Sequence, residues 1–242
     1  MKKLSIFLCA LLLPFAMIGI ANASTTLDVY DWDLSQLTPI GQIDTIATNQ
    51  TGAQHYDYYS ASAHPSGVNL GYYNSNFWVH ENTGNGELTF GFVFGLDNGP
   101  NDENNAELYF RIVDSTTDVY VSQSDDPGEA QEISPGWFEG DYWYNQNTDG
   151  VAVSGINGTG WTIMIDSVNF GDVTNWYAAS GQLTDFTDDL SLIIGHEYRI
   201  VPEGETPSGS PVNPSVPEPA TMLLFGSGLA GLFGFRRTFI KK

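Results

Sequence analysis

The chain has 242 residues, a formal net charge of −21 and one cysteine. Its acids all lie between Asp28 and Glu218, a span in which Arg111 and Arg199 are the sole cations. Such a polyanion repels nucleic acid and anionic lipid surfaces, which removes both as partners, and it attracts divalent cations.

Residues 1–23 read as a cleaved signal peptide. Lys2 and Lys3 precede an apolar run from Ile6 to Ile20, and Ala21-Asn22-Ala23 supplies the small residues of a cleavage site before Ser24. A Sec translocon and a signal peptidase are therefore expected partners. Cys9 falls inside this segment, so the remaining chain has no thiol, disulfide or cysteine-based metal site.

Residues 24–201 are expected to form one extracytoplasmic domain. In residues 87–96, Leu88, Phe90, Phe92, Phe94 and Leu96 alternate with smaller or polar residues, the pattern of a strand with one apolar face. Leu108, Phe110 and Ile112 alternate again after an acidic loop, which predicts a long-looped hairpin over 87–113. Further strands are expected at 27–34, 77–80, 119–122, 137–144, 161–166 and 190–201, with one helical turn at 175–180. Many short strands without a βαβ rhythm predict an all-β fold, an antiparallel β-sandwich of jelly-roll-like type.

No G-x-S-x-G nucleophile motif occurs, and His196-Glu197 lacks the second histidine of a zincin helix because Ile200 stands there. His55 and His64 flank Tyr56, Tyr58 and Tyr59, a possible metal or ligand cluster. Calcium is the better-supported cofactor, since hard cations take several oxygen ligands. Asp97, Asp102 and Glu103, among four asparagines, offer them in the 97–105 loop; the bland reading is a solvated turn. Asn145, Asn147, Asp149 and Gly150 resemble the start of an EF-hand loop, but Ile156 replaces its last carboxylate.

The densest aromatic segment is 137–144. A strand there puts Trp137 and Trp143 on one face and Phe138, Tyr142 and Tyr144 on the other, so one face serves a core and the other is open to a sugar ring. Trp137 and Trp143 are thus candidate glycan contacts.

Residues 202–215 form a Pro/Gly/Ser linker, and a sorting segment is expected at 216–242. It begins with Val216-Pro217-Glu218-Pro219, continues with uncharged residues 220–235, and closes with Arg236, Arg237, Lys241 and Lys242. An apolar helix ending in cations is a stop-transfer element, here short for a membrane span. Gly226-Ser227-Gly228-Leu229-Ala230-Gly231 spells a dinucleotide fingerprint, but no acid follows Glu218 and no βαβ unit surrounds it, so no nucleotide is implied.

The order VPEP, short apolar helix and arginine pair resembles the PEP-CTERM sorting signal. The resemblance implies recognition by an exosortase, a membrane-embedded transpeptidase, through Val216, Pro217, Glu218, Pro219, Arg236 and Arg237. It also implies a transient inner-membrane anchor, then release to the cell surface or extracellular matrix of an exopolysaccharide-producing bacterium. Together these observations predict an exported, non-enzymatic surface or matrix protein associated with exopolysaccharide or biofilm. A glycan-binding, lectin-like module is the alternative, and a secreted polysaccharide hydrolase is a third reading.

Overall fold

The computed structural model describes residues 24–34, 38–59, 62–71, 73–94, 104–144, 147–169, 171, 173–181 and 188–208. The expected signal peptide and the sorting segment at 216–242 lie outside them. Among the described residues no helix is long and apolar enough to cross a membrane.

Fourteen strands and one helical turn follow in chain order: β1 (Thr26–Asp31), β2 (Gly41–Asp44), β3 (Ile46–Thr48), α1 (Gly52–Tyr56), β4 (Asn74–Asn82), β5 (Leu88–Phe94), β6 (Asn104–Val113), β7 (Tyr120–Ser124), β8 (Ala130–Ser134), β9 (Trp137–Tyr144), β10 (Asp149–Ile156), β11 (Thr162–Asn169), β12 (Asn175–Ala178), β13 (Leu190–Leu192) and β14 (Tyr198–Pro202). They build two seven-stranded sheets. The first runs β2-β1-β14-β11-β6-β9-β8, and the second β13-β12-β4-β5-β10-β7 with β3 beside β4. One apolar core draws Phe77, Phe90 and Phe92 from the second sheet and Phe110, Phe138 and Ile163 from the first, so the sheets pack face to face as a sandwich. Each fully buried phenylalanine contributes ~1.5–3 kcal/mol.

The two sheets differ in their outward sides. In β5 every residue is buried. Leu88, Phe90, Phe92 and Phe94 enter the inter-sheet core, while Val93 joins Trp78, Ala152 and Tyr56 in a second core on the other side. That second core lies under α1. Thr51 and Gln54 form a reciprocal capping box, and Asp57 closes the helix at φ 51°. His55 and Tyr56 thereby point onto the sheet, both buried. Among the described residues the first sheet has no such cover.

Four expectations are corrected. Residues 87–113 do not form a hairpin: β5 pairs with β4 and β10, and β6 with β9 and β11 in the opposite sheet. The hairpin partner of β5 is β4, joined by a turn in which Asn82 accepts from Gly84 and Gly86. Residues 190–201 are two strands in different sheets, split by a bend with Gly195 at φ +85°. Residues 175–180 give strand β12 rather than a helical turn. The second sheet is mixed, because β12 and β3 both run parallel to β4.

Chain beyond β14 continues to pack. Glu203 N–H donates to Thr26, Gly204 N–H to Asp28, and Ser208 N–H to the Thr162 hydroxyl.

Candidate functional site

Alternation in β6 and β9 sorts their side chains cleanly. Ala106, Leu108, Phe110, Phe138 and Tyr142 are buried between the sheets, whereas Glu107, Tyr109, Arg111, Trp137, Glu139 and Asp141 take the outer side. Registers of five adjacent strands align Trp137, Arg111, Met164, Arg199 and Tyr30 in one cross-strand row. At ~4.8 Å per strand this row spans about 19 Å.

Both cations of the domain stand in that row, and both are neutralised. Arg111 donates from Nε to Asp166 Oδ2 at 2.5 Å and from Nη2 to Oδ1 at 2.9 Å. This fork holds its guanidinium charged, above its ordinary range. Arg199, only 3% exposed, reaches the same carboxylate at 3.0 Å and Glu197 at 3.0 Å. Burial pulls Arg199 down, and the two carboxylates counter it. Each arginine also lies over an indole, Arg111 at 5.5 Å from the Trp137 centroid and Arg199 at 5.0 Å from Trp32. Trp137 is therefore braced on one side and still 43% exposed.

Acids without basic partners occupy the next positions. Tyr109 donates to Glu139 Oε1 at 2.8 Å, and this bond, ahead of the surrounding acids, raises its phenol above the ordinary value. Glu107 stands directly opposite Asp141, both exposed. Like charges facing across a ladder destabilise it. Among the described residues none of Glu107, Glu139 and Asp141 meets a cation.

A second cluster is buried at the other side of the molecule. The Tyr56 phenol donates to Asp125 Oδ1 at 2.6 Å. Burial pushes Asp125 up to about 7, against the pull of that bond. Asp149 is held protonated, up to about 9, by burial first and then by Glu129 and Asp125. It shares a hydrogen bond with Glu129, which burial also raises. Two adjoining hollows of about 620 and 540 Å³, both lined by Tyr58 and Gln123, open beside α1 and β7, and Asp125 lines the smaller. His55 and His80 stack nearby with centroids 4.4 Å apart. Burial lowers them to about 3 and about 4, so both are neutral imidazoles. Among the described residues no three histidines or carboxylates converge to hold a metal.

The sequence-stated candidates fare unequally. Trp137 is on the outer face, and Phe138 and Tyr142, which alternation set on the other side, are in the core. The side chain of Trp143 lies outside the described residues, as do Asp97, Asp102 and Glu103. The strands flanking that acidic loop stand in different sheets, so it is not the tip of a hairpin. Asp149 and Gly150 begin a buried strand rather than a cation loop. His196 pairs with Asp31 at 2.8 Å in the bend before β14. His55 is stacked on His80 rather than joined with His64. Sequence reading missed Tyr109 and Asp125, and it put Asp149 in a cation loop rather than in the buried cluster. The first had a signal, since it shares the outer face of β6 with Glu107 and Arg111; the other two join strands and loops far apart in sequence.

No curated protein and no solved structure matches this chain. Residues 215–237 match the family model of the PEP-CTERM protein-sorting motif, so the chain carries a signal for export, exosortase processing and sorting to the cell surface.

Proposed function

We propose that this chain is a non-enzymatic protein of the cell surface or extracellular matrix, associated with exopolysaccharide. Residues 220–235 moor it briefly in the inner membrane until an exosortase acts at the VPEP segment. The observation that carries this reading is the matched segment 215–237, within which Val216-Pro217-Glu218-Pro219, an uncharged run and Arg236-Arg237 follow in order. Immunoblots of membrane and culture fractions from the native host test it. Glu218→Ala and deletion of 216–242 are expected to change the mass and fraction of the protein. Identical mass and fraction for wild type and Glu218→Ala would leave a plain anchor.

A second reading, a glycan-binding module, is favoured by the braced indole of Trp137, 43% exposed on the outer side of the first sheet. Flat aromatic faces suit pyranose rings, and Trp143 on the same strand is the companion candidate. A glycan array with wild type and Trp137→Ala tests it. Saturable binding lost in the variant supports this reading, and no binding to any glycan rejects it.

A further inference from the structure

Resting on the glycan-binding reading of the same face, we propose that the outer side of β6 and β9 binds a polysaccharide carrying free amino groups. Trp137 offers an indole for the apolar face of a sugar ring. Glu139 and Asp141 follow it on the same side of β9, and Glu107 faces Asp141 from β6. From Trp137 to Asp141 the strand runs ~14 Å at ~3.4 Å per residue, long enough for more than one ring. Three carboxylates on that stretch have no cation among the described residues.

Charge decides the class of sugar. Arg111 is held in a two-pronged bond by Asp166, and Arg199 is buried against Asp166 and Glu197, so neither is free for a uronate or sulfate. A chain of net charge −21 repels such a polymer in any case. Ammonium groups on successive sugars would instead relieve the Glu107–Asp141 repulsion and pair with Glu139. The Tyr109 hydroxyl, already given to Glu139 Oε1, fixes that carboxylate in place.

Calorimetric titration of the full-length chain in neutral detergent at ~0.15 M salt tests the proposal. The probes are glucosamine oligomers, N-acetylglucosamine oligomers of equal length, and polylysine. Saturable binding of the glucosamine oligomer is expected. It should weaken at least ~10-fold in Trp137→Ala and again in the double variant Glu139→Gln/Asp141→Asn. The double variant removes no buried group, and its melting temperature should hold or rise, so it serves even if Trp137→Ala folds poorly. Equal binding of the acetylated oligomer overturns the amino-group claim and leaves the glycan reading standing. Binding of neither sugar overturns the amino-polysaccharide claim, and the glycan array then decides the glycan reading on its own. Polylysine binding as tightly as the glucosamine oligomer, with no effect of Trp137→Ala, overturns the claim in favour of unspecific attraction of cations.

Discussion

The Tyr56 phenol donates a 2.6 Å hydrogen bond to Asp125 Oδ1 across 69 positions of sequence, fastening α1 to the loop that follows β7. Oδ2 of Asp125 has no partner among the described residues, so this phenol is the donor on which the buried carboxyl depends. Tyr56→Phe is expected to lower stability by ~1–3 kcal/mol, seen as a lower urea midpoint at constant m. The loss should be larger above pH 7, where the carboxylate is ionised and values its donor more. An equal loss in an Asp125→Ala background, which has no side-chain acceptor, would show that the bond is not the cause.

The pH profile follows from opposing groups. His55 and His80 have folded values near 3 and 4, below their ordinary 6.5, so their contribution is present above pH 6.5 and fades as pH falls through that window. Asp125 and Asp149 have folded values near 7 and 9, above their ordinary 3.8, so theirs is present below 3.8 and fades as pH rises towards 7 and 9. Between pH 4 and 6.5 the pairs oppose one another. Above 6.5 only the acids act, each with a slope of up to ~1.4 kcal/mol per pH unit. Thermal melts should therefore show a broad plateau near pH 4–6.5 and a fall towards pH 9 that Asp149→Asn makes shallower. A melting temperature that climbs from pH 6.5 to 9 contradicts this assignment.

Gly91 faces Trp78 across the β4–β5 ladder. A Cβ at Gly91 would lie 2.2 Å from the buried indole, so the ring must shift or the strands must part. Gly91→Ala is expected to lose ~1–3 kcal/mol. A neutral result in chemical denaturation would mean that the Trp78 pocket has slack.

Adjacent residues of β9 should respond in opposite ways. Phe138 is fully buried and stacks on Phe110 at 5.0 Å, so Phe138→Ala is expected to lose ~3–5 kcal/mol. Trp137 is on the open side, and Trp137→Ala should stay within ~1 kcal/mol, losing the Arg111 contact alone. Comparable losses at both positions would mean that the outer side is covered by something else.

The strands that could be read in sequence were those whose two sides differ, by side-chain size in the wholly buried β5 and by polarity elsewhere. Residues 108–112 and 137–144 have that contrast because the outer side of the first sheet meets solvent. β10 went unread: Val151 and Val153 enter one core and Ala152 the other, and Gly155 interrupts the run, so no alternation marks it. A strand buried on both sides loses its period-2 signature in this way unless, as in β5, large residues alternate with small ones. Pairing was less legible still. The strong patterns of β5 and β6 suggested neighbours, yet each is completed by strands from elsewhere, and pattern records which side is buried rather than which strand lies alongside. Alternation separated Trp137 from Phe138 and Tyr142, but it did not say which of the two sides is open. The acidic surroundings of Trp137 were not legible, because Glu107 and Asp141 meet through register.

The place of β14 has a mechanical consequence. It is the last strand among the described residues, and it lies inside the first sheet, with β1 on one side and β11 on the other. Tension entering along the chain from beyond residue 208 is thus delivered to a strand held on both flanks. It loads two antiparallel ladders together in shear instead of peeling one edge strand bond by bond. A domain pulled through its C-terminus would therefore take the load inside its sheet, through the five β1–β14 and three β11–β14 register pairs, and not at an edge.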